Sequence, residues 1–187
     1  MRAQNQKFSI VRVEKDHQFT PFSSDNKPYD AVYFMEDYTR SSHICAYEIT
    51  IQFNNETETT KRLALIGRIY GGILDCAVVV DSRLFVLVDD YLAYIDLSNL
   101  ALVFKTKIFS FGTGIALYNF DGGLLVHGEI DIVKTDYEGK IEWTFSGRDI
   151  WVAMDGTDAL RIEGNMIFLQ DFNGDTYTLD RNGKEIR

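Results

Sequence analysis

Short apolar runs, each ended by Gly, Asp or Asn, recur along the whole chain. No window of 11 or more residues places apolar side chains at i, i+3, i+4 and i+7 with polar residues between them, so the pattern gives no sign of an amphipathic helix. The clearest example is the stretch from 165 to 187, NMIFLQDFNGDTYTLDRNGKEIR, which predicts three strands joined by two tight turns. The pattern therefore predicts an all-β protein.

From Asp75 onward the runs become regular and fall into three sets of four predicted strands. The connections within the sets are two to six residues long, which favours antiparallel meanders over βαβ crossovers. The predicted strands are DCAVVVD, SRLFVLVDD, LAYIDL and LALVFKT in the first set, TGIALYNFD, GLLVHGE, DIVKTD and KIEWTF in the second, and DALRIEG, NMIFLQD, DTYTLD and a short KEIR in the third.

The three sets repeat one another. The residues that end each third strand are Asp96, Asp136 and Asp180, which are separated by 40 and then 44 residues. A period of about 40 residues with four strands per unit is typical of a β-propeller blade. The turns Glu138-Gly139 and Asn182-Gly183 supply a glycine that takes positive φ easily, as hairpins require.

The N-terminal part predicts an irregular first repeat over residues 1–74. FSIVRV is the expected innermost strand, and AVYFME, HICAYEITIQF and KRLALI are the expected second, third and fourth strands. Together with regular repeats over 75–187, this predicts a single all-β, β-propeller-like domain over residues 1–187, with about four repeats of a four-stranded antiparallel sheet. Four blades can form a closed ring, an open stack, or a dimer that covers exposed sheet edges.

The terminal repeat resembles those of pyrroloquinoline-quinone-type (quinoprotein-like) β-propellers. That repeat runs through Asp-x-x-Gly, an aromatic-x-Leu-Asp strand, x-x-Gly-Lys and a Trp-bearing strand. The matching residues are Asp171, Gly174, Tyr177, Leu179, Asp180, Gly183 and Lys184, with Asp136, Gly139, Lys140 and Trp143 in the preceding unit. The resemblance implies a blade and its turns. It implies no enzymatic activity, because the chain offers no counterpart of the quinone site and too few blades.

Composition narrows the classes of partner. The chain has 13 Phe, 10 Tyr and only 2 Pro, which suits sheets, and a formal net charge of −9. An acidic surface disfavours nucleic acid and anionic membranes, whereas a basic protein, a cation or a neutral ligand stays compatible with it. Because there is no signal-type apolar segment and no run of 18 apolar residues, we expect a cytoplasmic protein. Cys45 and Cys76 lie in apolar strands and are expected to be unpaired.

Each repeat places two acidic residues in the turn between its second and third strands, and all these turns would lie on one rim. The pairs are Glu36 and Asp37, Asp89 and Asp90, Glu129 and Asp131, and Asp171 and Asp175. The connections between repeats would reach the same rim with Arg68 and Tyr70, with Phe109 and Phe111, and with Arg148, Asp149 and Trp151. Two interpretations stay open. The acids are ordinary turn formers that bond local N–H groups, or they form a binding surface together with exposed aromatic residues.

Other chemistry has weaker support. Asp171, Asn173 and Asp175 begin like a calcium loop, but Thr176 and Asn182 stand where such a loop needs Gly and Glu. His17, His43 and His127 lack ligand spacing, and His127 is expected to be a core or rim residue. Asp89 with Glu129 is one conceivable glycosidase-like pair. The sequence contains no nucleophile elbow, P-loop or dinucleotide motif, so we expect no catalytic residue, no metal and no cofactor.

These observations predict a non-catalytic binding protein that uses its acidic and aromatic rim, most plausibly against a protein partner. Opposite charge speeds the encounter with a basic partner. A carbohydrate-binding module or glycosidase-like enzyme is one alternative, in which Trp151 would stack on a sugar ring. A structural subunit whose partner covers a sheet edge is the other.

Overall fold

The computed structural model describes residues 8–38, 44–53, 59–68, 75–154 and 156–186. These residues form fifteen strands in four sheets and contain no α-helix, so the all-β, propeller-like prediction is confirmed. The strands are β1 (Phe8–Asp16), β2 (Ala31–Phe34), β3 (Ile44–Phe53), β4 (Thr60–Arg68), β5 (Ala77–Val80), β6 (Arg83–Val88), β7 (Tyr91–Asp96), β8 (Ala101–Lys107), β9 (Gly114–Phe120), β10 (Gly123–Gly128), β11 (Asp131–Thr135), β12 (Ile141–Ser146), β13 (Leu160–Glu163), β14 (Met166–Gln170) and β15 (Thr176–Leu179).

Three of the sheets follow the predicted meander. Sheet 2 has the order β5-β6-β7-β8 and sheet 3 the order β9-β10-β11-β12, with every neighbouring pair antiparallel. Sheet 4 contains β13-β14-β15, and the expected short strand KEIR pairs through a single bridge between Leu179 and Glu185. The turn residues at Asp, Asn and Gly thus marked the strand ends correctly in this half of the chain.

Sheet 1 departs from the predicted order. The strands lie as β1-β3-β4-β2, and β2 pairs parallel to β4, so AVYFME is at the sheet edge and not beside FSIVRV. The prediction assumed that successive strands are neighbours. The segment 17–30 is too long for a hairpin and instead crosses the outer face of the sheet before β2 begins.

That crossing covers apolar surface. The face of sheet 1 that points away from sheet 2 carries Ile44, Ala46, Ala64 and Ile66, and Phe19, Tyr29, Phe34 and Tyr38 pack against them. The Tyr29 hydroxyl donates to the Asp16 carboxylate at 2.6 Å, and Lys27 pairs with Glu48 at 2.6 Å. The crossing segment is therefore fixed at both polar and apolar positions.

The sheets pack in series, and this explains their continuous apolar strands. In β6, Leu84, Val86 and Val88 face sheet 1, whereas Phe85 and Leu87 face sheet 3. A strand buried on both faces has no polar alternation. A third cluster, including Leu125, Trp151 and Leu169, joins sheets 3 and 4. Among the described residues, no hydrophobic cluster joins sheet 4 to sheet 1.

In sheets 1, 2 and 3, an aromatic residue of the outermost strand contacts the turn that follows the third strand of the next sheet. Tyr33 of β2 donates its hydroxyl to the Leu100 carbonyl at 2.9 Å, and Trp143 of β12 donates its Nε1–H to the Arg181 carbonyl at 3.1 Å. The Phe104 ring of β8 lies where a Cβ on Gly139 would be 2.7 Å away. Trp143 is thus a packing residue of the outer strand.

Two further observations concern single elements. Within the described ranges, no helix is long and apolar enough to cross a bilayer. Cys45 and Cys76 are both buried and free, as the sequence predicts.

Candidate functional site

The turns after the second strands of sheets 2, 3 and 4 lie at one edge of the stack, which we call the candidate rim. Backbone hydrogen bonds join these turns through the connections between sheets. The Asp89 carbonyl accepts a hydrogen bond from the Gly114 N–H at 2.8 Å, and the Thr113 carbonyl accepts one from the Glu129 N–H at 2.8 Å. The same arrangement recurs one sheet later. There the Glu129 carbonyl accepts from the Trp151 N–H and the Ile150 carbonyl accepts from the Phe172 N–H, both at 2.9 Å. These turns therefore form a hydrogen-bonded row across sheets 2, 3 and 4.

A cleft of about 250 Å³ opens on this rim where sheets 1, 2 and 3 meet. Four residues that the sequence pointed to line it together, namely Arg68, Asp89, Asp90 and Glu129, along with Gly112 and Thr113. Asp89 and Asp90 come from the β6–β7 turn, Glu129 from the β10–β11 turn and Arg68 from the end of β4. The cleft thus gathers carboxylates from two different sheets.

Asp89 is the most buried carboxylate of the cleft, with 8% of its surface exposed. Burial raises the pKa of Asp89, and the neighbouring carboxylates Asp90 and Glu36 add to that increase. The Thr113 hydroxyl, which donates to Asp89 at 2.9 Å, and the Arg68 guanidinium partly offset it. Asp89 also has φ 58°, an uncommon backbone conformation for a residue with a Cβ. An approaching cation would stabilise the charged form of this side chain.

Among the other charged residues that line the cleft, Arg68 and Asp90 form ion pairs with described residues and Glu129 does not. Arg68 pairs with Glu36 at 2.9 Å, and Lys107 pairs with Asp90 at 2.8 Å. The pKa of Lys107 is raised by its hydrogen bond to Asp90 and by the charge of that carboxylate. Glu129 also lines the cleft and forms no ion pair with any described residue.

The other predicted rim acids lie outside the cleft. Asp175 pairs with the exposed Arg148 at 3.4 Å, and Asp131 accepts a hydrogen bond from the Ser146 hydroxyl at 2.5 Å. Asp149 accepts a hydrogen bond from the Asn173 side chain at 2.7 Å. Asp37 follows β2 and is exposed. Tyr70 lies outside the described residues.

Asp171 is a turn-stabilising residue. It is fully buried, its Oδ1 accepts from the backbone N–H groups of Asn173 and Asp175, and its Oδ2 accepts from the Tyr177 hydroxyl. Asp136 and Asp180 accept two backbone N–H groups at the same spacing. The calcium-loop resemblance is explained by this turn, and the ordinary turn-forming interpretation holds for Asp171.

The expectation that Phe109 and Trp151 are exposed is wrong. Phe109 is 2% and Trp151 is 1% exposed. The Trp151 ring stacks on Phe145 with centroids 6.0 Å apart and meets Tyr177 edge-on at 5.4 Å. Their connections fold back between the sheets, and a local pattern does not reveal this. Phe111, which the sequence also placed on this rim, is 75% exposed.

Sequence reasoning missed Thr113 and Lys107 as site residues. The segment Gly112-Thr113-Gly114 is the sequence feature that could have indicated the cleft. Small residues in a connection between sheets allow its backbone to lie close to the neighbouring turns. A Cβ on Gly114 would lie 2.7 Å from the Asp89 carbonyl, and a Cβ on Gly112 would lie 3.4 Å from the Glu129 carboxylate. Lys107 ends an alternating outer strand and has no local pattern that distinguishes it from other surface lysines.

Within the described part of the chain, no group of three or more His, Cys, Asp or Glu side chains has the arrangement of a metal site. His127 is a buried strand residue, as expected, and burial lowers its pKa to about 4. It is therefore neutral at neutral pH.

Comparisons with known proteins identify the fold. The first is BamB from Moraxella catarrhalis, at 12% identity and a TM-score of 0.52, with 78% of this chain and 45% of that chain covered. The second is the β-propeller domain of Swd1 from Myceliophteria thermophila, at 14% identity and a TM-score of 0.52, with 80% and 55% covered. The chain spans about half the length of these structures. No family model and no curated protein matches the sequence.

The fold and the rim thus define a β-propeller-like protein of four successive sheets. At these identities the comparisons establish the fold and nothing finer.

Proposed function

We propose that this protein is a non-catalytic binding module that recognises a basic protein partner through the cleft on the candidate rim. The observation that carries the proposal is the convergence of Asp89, Asp90 and Glu129 on one cleft. A β-propeller hosts many unrelated functions, so the argument rests on the site and not on the fold.

The electrostatics of the cleft favour a cationic side chain. Asp89 is held where burial and two neighbouring carboxylates oppose its charge. A lysine or arginine that enters the cleft would relieve this repulsion and pair with Glu129. The net charge of −9 would also speed the encounter with a basic partner at low ionic strength.

Selection of a random peptide-display library on the immobilised protein tests the proposal. We expect the enriched peptides to contain lysine or arginine, and a synthetic enriched peptide to bind more weakly as NaCl increases. The double variant Asp89→Asn/Glu129→Gln should lower its affinity at least tenfold. Glu138→Gln makes the same acid-to-amide change in the turn between β11 and β12, which lies at the other edge of the stack. We call that edge the opposite rim, and a substitution there should have no effect. Neutral enriched peptides, or equal affinity for the double variant, would refute the proposal.

One observation favours a second candidate function, the hydrolysis or binding of a glycoside. Asp89, whose pKa is raised by burial, and Glu129 share one cleft, and glycosidases use two carboxyl groups as acid and base or nucleophile. Trp151 is buried and is not the sugar-stacking residue that the sequence suggested. A panel of aryl glycosides and a glycan array decide this candidate, since hits that disappear in Asp89→Asn would support it.

We further propose that the repeats belong to the quinoprotein-like type. The Asp-x-x-Gly turns at Asp136, Asp171 and Asp180 share one hydrogen-bonding scheme, and Trp143 packs on Gly183 of the next sheet. A profile built from many homologues of this chain would test the assignment.

A further inference from the structure

Four exposed apolar side chains lie on the candidate rim. We call them the rim patch: Phe111, Val152, Met154 and Phe172. Phe111 is 75% and Met154 68% exposed, the highest values among the exposed large apolar residues of the described chain. The removal of such side chains from water on binding is favourable in proportion to the apolar area that is covered.

The backbone places Phe111, Val152 and Phe172 along one line, and Met154 follows Val152 by two positions in the same connection. Phe111 precedes Gly112 and Thr113, which contact Glu129. The N–H groups of Val152 and Phe172 both donate to the Ile150 carbonyl, at 3.0 and 2.9 Å, so the two residues are neighbours across sheets. The row of hydrogen bonds through Thr113, Glu129 and Trp151 connects the two ends of the patch.

The candidate rim and the opposite rim differ in the exposed apolar residues of their turns. The turns of the opposite rim also contain acids, including Asp81, Asp121 and Glu138, so acidity alone does not distinguish the two rims. The apolar and aromatic residues in the described turns of the opposite rim, Leu97, Leu100 and Tyr137, are buried or half-buried. Among the described turns of sheets 2, 3 and 4, exposed large apolar side chains therefore occur on the candidate rim and not on the opposite one.

The patch is supported from below. Trp151, adjacent to Val152, is fixed by stacking on Phe145 and by Tyr177, and a Cβ on Gly147 would collide with its ring. The Tyr177 hydroxyl in turn donates to Asp171, at the base of the turn that carries Phe172. Rigid support lowers the conformational entropy lost on binding and favours the use of these side chains as anchors.

The geometry points to the rim patch as the apolar half of the partner-binding surface. The partner is a protein segment that presents an aromatic or aliphatic side chain next to lysine or arginine. Its apolar part would pack on the rim patch while the cation enters the acidic cleft. Interfaces commonly combine a desolvated apolar anchor with charged positions that set specificity. This inference rests on the proposed function, since it assigns the second half of the same surface.

The peptide selection also tests the patch, with different variants. A synthetic enriched peptide is titrated against the wild-type protein, Phe111→Ser and Met154→Ser by fluorescence anisotropy. We expect each substitution to lower affinity at least fivefold. Val103→Ser and Ile141→Ser are matched controls, because both residues are exposed and apolar but lie on outermost strands. They should leave the affinity unchanged. Thermal unfolding of every variant verifies that the fold is intact.

The outcomes separate the two proposals. Loss of affinity in the rim-patch variants and in Asp89→Asn/Glu129→Gln supports both. Loss only in the acid variants overturns the rim patch and leaves the acidic cleft standing. Loss only in the rim-patch variants overturns the acidic cleft as the basis of function. Enriched peptides without any apolar residue overturn the rim patch directly.

Discussion

At the scale of single residues, Asp89 combines an unfavourable environment with a position in the cleft. Its carboxylate is buried, faces Asp90 and Glu36, and sits on a backbone with positive φ. Groups that are poorly accommodated in the folded protein are often retained for function, because most of the chain can be optimised for stability without them. The competing interpretation, a simple turn former, fits Asp171 much better than Asp89.

We therefore expect Asp89→Asn to increase stability while it weakens binding. The folded-state pKa of Asp89 is raised, so its contribution to stability is present below the unfolded-state pKa and is lost as pH rises. Asn keeps the acceptor for Thr113 and tolerates positive φ. Urea unfolding at pH 7 should show a higher free energy of unfolding for the variant, and the difference should vanish at acidic pH. A less stable variant at pH 7 would contradict this account of the cleft.

His127 gives the second prediction at this scale. Burial lowers its pKa from 6.5 to about 4, so below pH 6.5 the unfolded chain binds a proton that the folded chain does not. The wild-type protein should lose about 3 kcal/mol of stability from this residue between pH 6.5 and 4. His127→Leu should lose less over that interval. Unfolding free energies of both proteins, measured across this range, check the prediction, and parallel curves would refute it.

At the scale of elements, the contact between an outer strand and the next turn sets how sheets are joined. Trp143→Leu removes the hydrogen bond to Arg181 and the ring that covers Gly183. Because the ring is only partly buried, we expect a loss of about 1–3 kcal/mol in the free energy of unfolding. Ile141→Ala, an exposed position on the same strand, should change stability by less than about 0.5 kcal/mol. Equal effects of the two substitutions would contradict the role given to this contact.

The sequence predicted elements well wherever strands are neighbours in order. In sheets 2 and 3 the central strands β6, β7, β10 and β11 are buried on both faces and end at, or one residue before, Asp or Gly. Local pattern and structure agree there. The strand order of sheet 1 could not be predicted, because nothing in residues 17–30 indicates that the segment crosses a sheet face. The burial of Trp151 depends on Phe145 and Tyr177, which are contributed by other elements. The rim acids could be predicted because they repeat along the sequence. Which of them line the cleft and which only stabilise a turn depends on tertiary contacts that the sequence does not show.

At the scale of the whole molecule, the sheets contact one another in sequence order. In the part of the chain that the structure describes, sheet 4 shares a hydrophobic cluster with sheet 3 alone. Its other face carries Arg161, Gln170, Thr176 and Thr178, with Phe168 under the Arg161 guanidinium. Repeat proteins in which each unit contacts its neighbours have stability close to a sum of local terms. Local unfolding can then be confined to one end of the stack.

We expect Ile167→Ala, at a fully buried position of β14, to destabilise sheet 4 selectively. Deletion of such a side chain leaves a cavity and costs about 2–5 kcal/mol. Hydrogen exchange followed by mass spectrometry should show faster exchange over β13 to β15, with β3, β4 and β6 unchanged. Uniform acceleration in all four sheets would show that sheet 4 is coupled to sheet 1.

The central claim is that the candidate rim is the surface that binds a partner. The most direct measurement is hydrogen exchange of the wild-type protein with and without a saturating enriched peptide from the library selection. We predict slower exchange in residues 89–91, 110–114, 128–131, 150–154 and 171–173, where the cleft and the rim patch lie. Slower exchange confined to the opposite rim, over residues 97–100, 136–140 and 180–184, or to the outer face of sheet 4, would contradict the account.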